Sequence, residues 1–193
     1  GRDELLERAS IAAARVTAAR PTKSLLMVGL RGVGKTVLLN RFRNDAEATG
    51  IQTLQVEAPE GRSLPAMLAP HLRLCLLQLS KRELAKDAAR RALRGLAGFA
   101  KALKVKYGDI EVGLDLEPEP GLADNGNLEQ DLQALLQAAG EAARSAHSAL
   151  AMYIDELQYI EEDQLAALIT GLHRTAQASL PVVLFGAGLP QLR

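Results

Sequence analysis

Apolar residues recur at Leu5, Ala9, Ala12 and Val16, the spacing of one helix face, so the stretch 3–20 predicts a helix that Pro21 closes. The pattern then changes. Residues 24–29, SLLMVG, form an unbroken apolar run stopped by glycine, which predicts a strand buried on both faces. Helical spacing returns at Leu38, Leu39, Phe42 and Ala46, and Gly50 stands where helices commonly end. IQTLQVE (51–57), ALAMYIDE (149–156) and VVLFG (182–186) read as further strands. Before the last of them, Leu165, Leu168, Ile169 and Leu172 form a helical stripe that Pro181 breaks. Strands alternating with helices predict a parallel sheet with helices on both faces, an α/β fold.

Between the second and third strands lies a long excursion, 60–147. It has helical periodicity from about Ser63 to Leu103, and then LKVKYGDIEVGLDL (103–116), whose alternation around Tyr107-Gly108-Asp109 predicts a β-hairpin. A loop rich in Pro, Gly and Asn follows, EPEPGLADNGN, and then a helix with Leu128, Leu132, Leu135, Leu136 and Ala139 on one face. Asn127 as cap, with Gln130 three residues on, marks its start. The expectation is a single domain over 1–193, with 60–147 inserted into it.

Composition narrows the class. The chain has 193 residues, 48% hydrophobic, enough for one substantial core. Its 23 basic and 23 acidic residues cancel, so no bulk charge draws it to nucleic acid or an anionic membrane. No apolar run approaches the roughly 20 residues of a membrane span, and no signal-peptide pattern opens the chain, so the expected location is cytoplasmic. Cys75 has no second cysteine to pair with, and its setting in HLRLCLLQL predicts a buried, inert thiol. His71, His147 and His173 fall on separate expected helices, at surface or core positions, and no Cys/His spacing suggests a metal site.

The chemistry concentrates in MVGLRGVGKTVLL, residues 27–39. Gly29 to Thr36 reads G-x-x-x-x-G-K-T between a strand and a helix, the setting in which this pattern cradles phosphates. Glycines let backbone amides approach phosphate oxygens, the helix N-terminus adds its dipole, and Lys35 can bridge the β and γ phosphates. The Thr36 hydroxyl can ligate Mg²⁺. A glycine-rich turn that binds nothing is the bland alternative, and Lys-Thr in register argues against it. Such a site also needs a carboxylate at the end of a neighbouring strand, and Asp155 stands there with Glu156 beside it. One of the pair can serve the metal while the other faces an attacking water.

GLRGVGKT and ALAMYIDE resemble the Walker A and Walker B motifs of P-loop NTPases. The Asp-Glu pair, the opening GRDELLER and LPVVLFGAGLPQL together are similar to AAA+-type ATPases related to origin-recognition and STAND signalling proteins. That resemblance implies a three-layer fold with sheet order 5-1-4-3-2, strand 5 being absent from this chain, with ATP and Mg²⁺ as ligands. Carried over by position, the nucleotide contacts are Gly29, Arg31, Gly32, Val33, Gly34, Lys35, Thr36 and Val37. The metal residues are Thr36 and Asp155, and the water-activating residue is Glu156. Gly1 and Arg2 resemble the "GR" box near the nucleotide base. The family implies ATP/ADP exchange driving a switch or an assembly, with a homo-oligomer or a protein as partner.

The sequence departs from the family twice. The end of the fourth strand reads Phe185-Gly186-Ala187-Gly188, where relatives carry a polar sensor residue, which keeps open an ATP-gated scaffold without turnover. The chain begins at Gly1 and stops at Arg193, ahead of the family's fifth strand and lid, so a C-terminally truncated fragment is expected. A GTPase is excluded by the lack of Asn-Lys-x-Asp. A P-loop kinase fits less well, because the Asp-Glu pair suits water and no arginine-rich lid segment follows. Finally, basic residues crowd 81–106 and acids crowd 107–131. Mutual neutralisation or solvation is favoured over a nucleic-acid contact, since stacking aromatics are nearly absent.

Overall fold

The computed structural model describes residues 2–190 except 19, 21, 108, 109, 111, 112, 114 and 115, and gives only the backbone of Arg2 and Val105. Helix α1 (Arg2–Thr17) leads into β1 (Leu25–Val28), α2 (Lys35–Ala48) and β2 (Gln52–Glu57). Then come α3 (Leu64–Leu79), α4 (Lys86–Tyr107), α5 (Leu128–Ser145), β3 (Leu150–Asp155), α6 (Glu162–Gln177) and β4 (Val182–Gly188). The four strands described pair in parallel in the order β1-β4-β3-β2, which is the expected order without strand 5. This is a P-loop NTPase fold.

Strands β3 and β4 sit in the middle of the sheet and are buried along their whole length, which is why they read as continuous apolar runs. Their alternate residues serve two cores. Leu150, Met152, Ile154, Val182 and Leu184 pack with the helices of the excursion and α6. Ala151, Tyr153, Val183, Phe185 and Ala187 face the other way, with Met27 and with Leu39, Phe42 and Ala46 of α2. The Tyr153 and Phe185 rings stack at 5.0 Å between centroids, and the Tyr153 hydroxyl donates to the Phe42 carbonyl at 3.2 Å. That bond satisfies the one polar atom the ring carries into the core.

Strand β1 differs from the expectation of burial on both faces. Met27 is buried, but Leu26 and Val28 are 45% and 53% exposed. The reason is position: β1 lies at the sheet edge, while α3 to α6 gather over the β2–β3–β4 side.

The predicted hairpin is also corrected. Leu103 to Tyr107, its first arm, is the last part of α4, and most of the second arm lies outside the described residues. Alternation misled because Leu103 also continues the helical stripe of Leu93, Leu96, Phe99 and Ala100, all buried in the same core. The Ser63 hydroxyl accepts from the Ala66 amide at 3.4 Å and donates to the Tyr107 carbonyl at 3.3 Å, joining the start of α3 to the end of α4. Buried Gln164 of α6 accepts from the Leu64 amide at 2.6 Å. The expected cap of α5 is present, with Asn127 Oδ1 accepting from the Gln130 amide at 3.1 Å.

The loop before α5 is held by a carboxylate that periodicity could not single out. Asp131 is wholly buried and accepts from the Asn125 amide (2.9 Å), the Asn125 side chain (3.2 Å) and the Gly126 amide (2.8 Å). Asp131→Ala leaves these donors without their acceptor, so unfolding stability should fall by about 1–3 kcal/mol. A urea melt followed by circular dichroism measures it; an unchanged midpoint would contradict the assignment.

Where the two charge runs meet, they pair. Glu119 receives Arg91 at 2.9 Å and Arg94 at 3.0 Å, and Arg91 also lies 3.7 Å from Glu141. Cys75 is buried, its Sγ donates to the Thr53 carbonyl at 3.2 Å, and burial pushes its thiol up to about 12, so it stays protonated. His71 and His173 are exposed on α3 and α6, whereas His147 lies in the turn after α5 at φ 51°, off the helix expected for it. No helix among the described residues is long and apolar enough to cross a membrane.

Candidate nucleotide site

The site forms where β1 and β3 end beside each other across β4. Gly29 extends the pairing of β1, its amide donating to the Gly188 carbonyl at 3.2 Å. The chain then turns through Gly32 (φ 78°) and Gly34 (φ 87°), left-handed conformations that a Cβ would penalise. Gly34 caps α2 without any side chain, and Leu38 is bonded back to its carbonyl at 3.1 Å. The first-turn amides and the helix dipole therefore remain available to an anion.

Lys35 folds over this loop, its Nζ donating to the carbonyls of Gly29 (2.7 Å) and Leu30 (2.8 Å). Arg31 of the loop reaches the short segment after β3, its Nη2 donating to the Tyr159 hydroxyl at 2.9 Å. Val33 and Val37 are 48% and 71% exposed, and being apolar they offer a phosphate only their backbone amides. Gly29, Arg31, Gly32, Val33, Gly34, Lys35, Thr36 and Val37 lie on one stretch running from the end of β1 through the turn into the first turn of α2. Gly1 and the Arg2 side chain lie outside the described residues.

Thr36 connects this loop to the second motif. Its hydroxyl donates to Asp155 Oδ2 at 2.5 Å, across 119 residues of sequence. Asp155 is the buried last residue of β3, and its other oxygen accepts from the Glu156 amide at 2.9 Å. A hydroxyl and a carboxylate are hard oxygen donors of the kind magnesium takes. Among the described residues no cluster of three or more His, Cys, Asp or Glu could hold a metal unaided. That donor set fits a cation which takes its remaining ligands from phosphate and water.

Glu156 itself sits at φ 56°, a left-handed conformation that costs a non-glycine residue of order 1 kcal/mol or more. The turn swings the chain from β3 into a short 3₁₀ segment, Leu157–Tyr159. Asp155 and Glu156 consequently diverge, the first toward Thr36 and the second toward Gln158, whose amide donates to its Oε2.

Residues 1–185 match the family described as the AAA ATPase domain. The chain belongs to that family. Among curated proteins none matches it. Membership in the AAA ATPase domain family brings nucleotide binding and ATPase activity in general, and it accords with the P-loop and with the sheet order.

Two residues of this AAA ATPase domain escaped the reading of its sequence, Gln158 and Tyr159. Each reaches a residue that the motifs did identify, Glu156 and Arg31. Their only signal was place, directly after an Asp-Glu pair. The bare end of β4 also gains a packing reason. A Cβ on Gly186 would come within 2.5 Å of Leu157 Cδ1 and 2.8 Å of Leu26 Cδ2, so both leucine side chains would have to shift to admit one.

Proposed function

We propose that this domain binds ATP at the 29–37 loop, with Thr36 and Asp155 holding Mg²⁺, and hydrolyses it with Glu156 as general base. The nucleotide cycle then drives a switch or an assembly step with a protein partner or a second copy. The observation that carries this reading is the Thr36–Asp155 bond at 2.5 Å. It brings the phosphate loop and the strand-end carboxylate into one site, with a second carboxylate on the adjacent residue.

In this reading the left-handed glycines and the α2 amides cradle the phosphates, and Lys35 leaves its two carbonyl partners to neutralise phosphate charge. Magnesium, when bound, supplies further charge neutralisation and orients the phosphates. Glu156 takes the proton of a water aimed at the terminal phosphate, because its carboxylate is free of Asp155 and Thr36.

Asp155→Asn tests the metal half. It keeps the shape but removes the carboxylate's charge, the one charge in the donor pair, and metal affinity should fall on the order of 10–100-fold. Titrating a fluorescent ATP analogue with and without Mg²⁺ should show strong magnesium dependence in the wild type and little in the variant. Equal dependence in both would remove Asp155 from the metal site.

One observation favours a second reading, an ATP-gated scaffold without turnover. Residues 185–188 at the end of β4 offer no polar side chain to the terminal phosphate or the water.

A further inference from the structure

We infer that Gln158 is a positioning residue for Glu156, fastening its carboxylate to the C-terminal end of β4. The inference rests on the hydrolysis reading above and adds to it a residue that neither Walker motif contains.

The side chain of Gln158 has two polar ends, and both are used. Its Oε1 accepts from the Leu189 amide at 3.0 Å, and its Nε2 donates to Glu156 Oε2. The partners fix the orientation of the amide. The Leu189 N–H can only donate and the Glu156 carboxylate oxygen accepts, so turning the amide over would set like against like at both ends. Glutamine alone has the length and the opposed ends to span the two groups. Glutamate would bring a second carboxylate to the first, and a leucine of similar size would bridge nothing.

Three consequences follow for the site. The clamp engages one oxygen of Glu156, and Oε1 has no hydrogen bond among the described residues, so it is left to accept a proton from water. The anchor belongs to the segment leaving β4, the strand that lies between β1 with its phosphate loop and β3 with Asp155. Glu156 is thereby tied to the end of that middle strand, against the freedom of a side chain with three rotatable bonds on a strained backbone. Finally, a Cβ at Gly186 would displace the side chains of Leu157 and Leu26, which close in on that point of β4. Gln158, the residue after Leu157, supplies the polar group at that strand end from the neighbouring segment. Packing and polar chemistry at this corner are thus divided between consecutive residues of the same turn.

The test uses two variants of the intact protein. Gln158→Leu removes both bonds; Gln158→Glu keeps an acceptor for Leu189 while repelling Glu156, and serves should the leucine variant fold poorly. Loss of a positioned base should lower kcat by about 10- to 100-fold, with the Kd of a fluorescent ATP analogue unchanged. Each substitution is then repeated on Glu156→Gln. A residue acting through Glu156 has nothing left to position there, so turnover should fall no further; a merely structural effect would multiply in both backgrounds. Multiplying effects, or a wild-type kcat in either folded variant, would overturn the inference while leaving the hydrolysis reading intact. A wild type that binds ATP and never turns over would overturn that reading and the inference together.

Discussion

Glu156→Gln should leave ATP bound and slow phosphate release by roughly 10²- to 10⁴-fold, the worth of a general base. The substitution preserves size, and its amide can still meet the Gln158 side chain, so the turn after β3 keeps its shape. What is lost is the ability to take a proton. The Asp155 bond to Thr36 does not involve the Glu156 side chain, and nucleotide affinity should therefore hold. Single-turnover phosphate release beside a binding titration reads both quantities. Equal turnover in variant and wild type would show that some other group activates the water.

Lys35→Ala should abolish ATP binding at ordinary concentrations. Lys35 Nζ rests on the Gly29 and Leu30 carbonyls at 2.7 and 2.8 Å, poised over the loop where phosphates would lie. Hydrogen bonds to charged groups contribute about 1.5–3 kcal/mol each, so losing a pair of them to phosphate costs about 3 kcal/mol or more, on the order of 100-fold in Kd. The fold should survive, because both carbonyls border an open turn and can bond water instead. A fluorescent ATP titration, with a melting curve as control, checks this. Undiminished affinity in a folded variant would remove the phosphate loop from the account.

How far the sequence foretold this molecule varied with the range of the interactions involved. The phosphate loop was legible because its demands are local: glycines at φ 78° and 87°, then a helix start, within eight residues. The β3 and β4 strands were legible because burial on both sides makes them uniformly apolar. Strand β1 looked the same but is half uncovered, since an apolar run carries no information about whether the strand has a neighbour on each side. The stretch ending at Tyr107 failed for a related reason, as a brief alternation was outweighed by the core that α4 packs into. Gln158 and Asp131 act through loop amides that no pattern marks. Polar groups of that kind are decided by the folded geometry.

The most direct test of hydrolysis at this site is phosphate release from ATP by the intact protein, followed in excess Mg²⁺ and again with EDTA. The account predicts steady turnover with magnesium, its loss in EDTA, and its near-loss in Glu156→Gln. Tight ATP binding without any phosphate release in magnesium would contradict it and would leave the nucleotide as the gate of a scaffold.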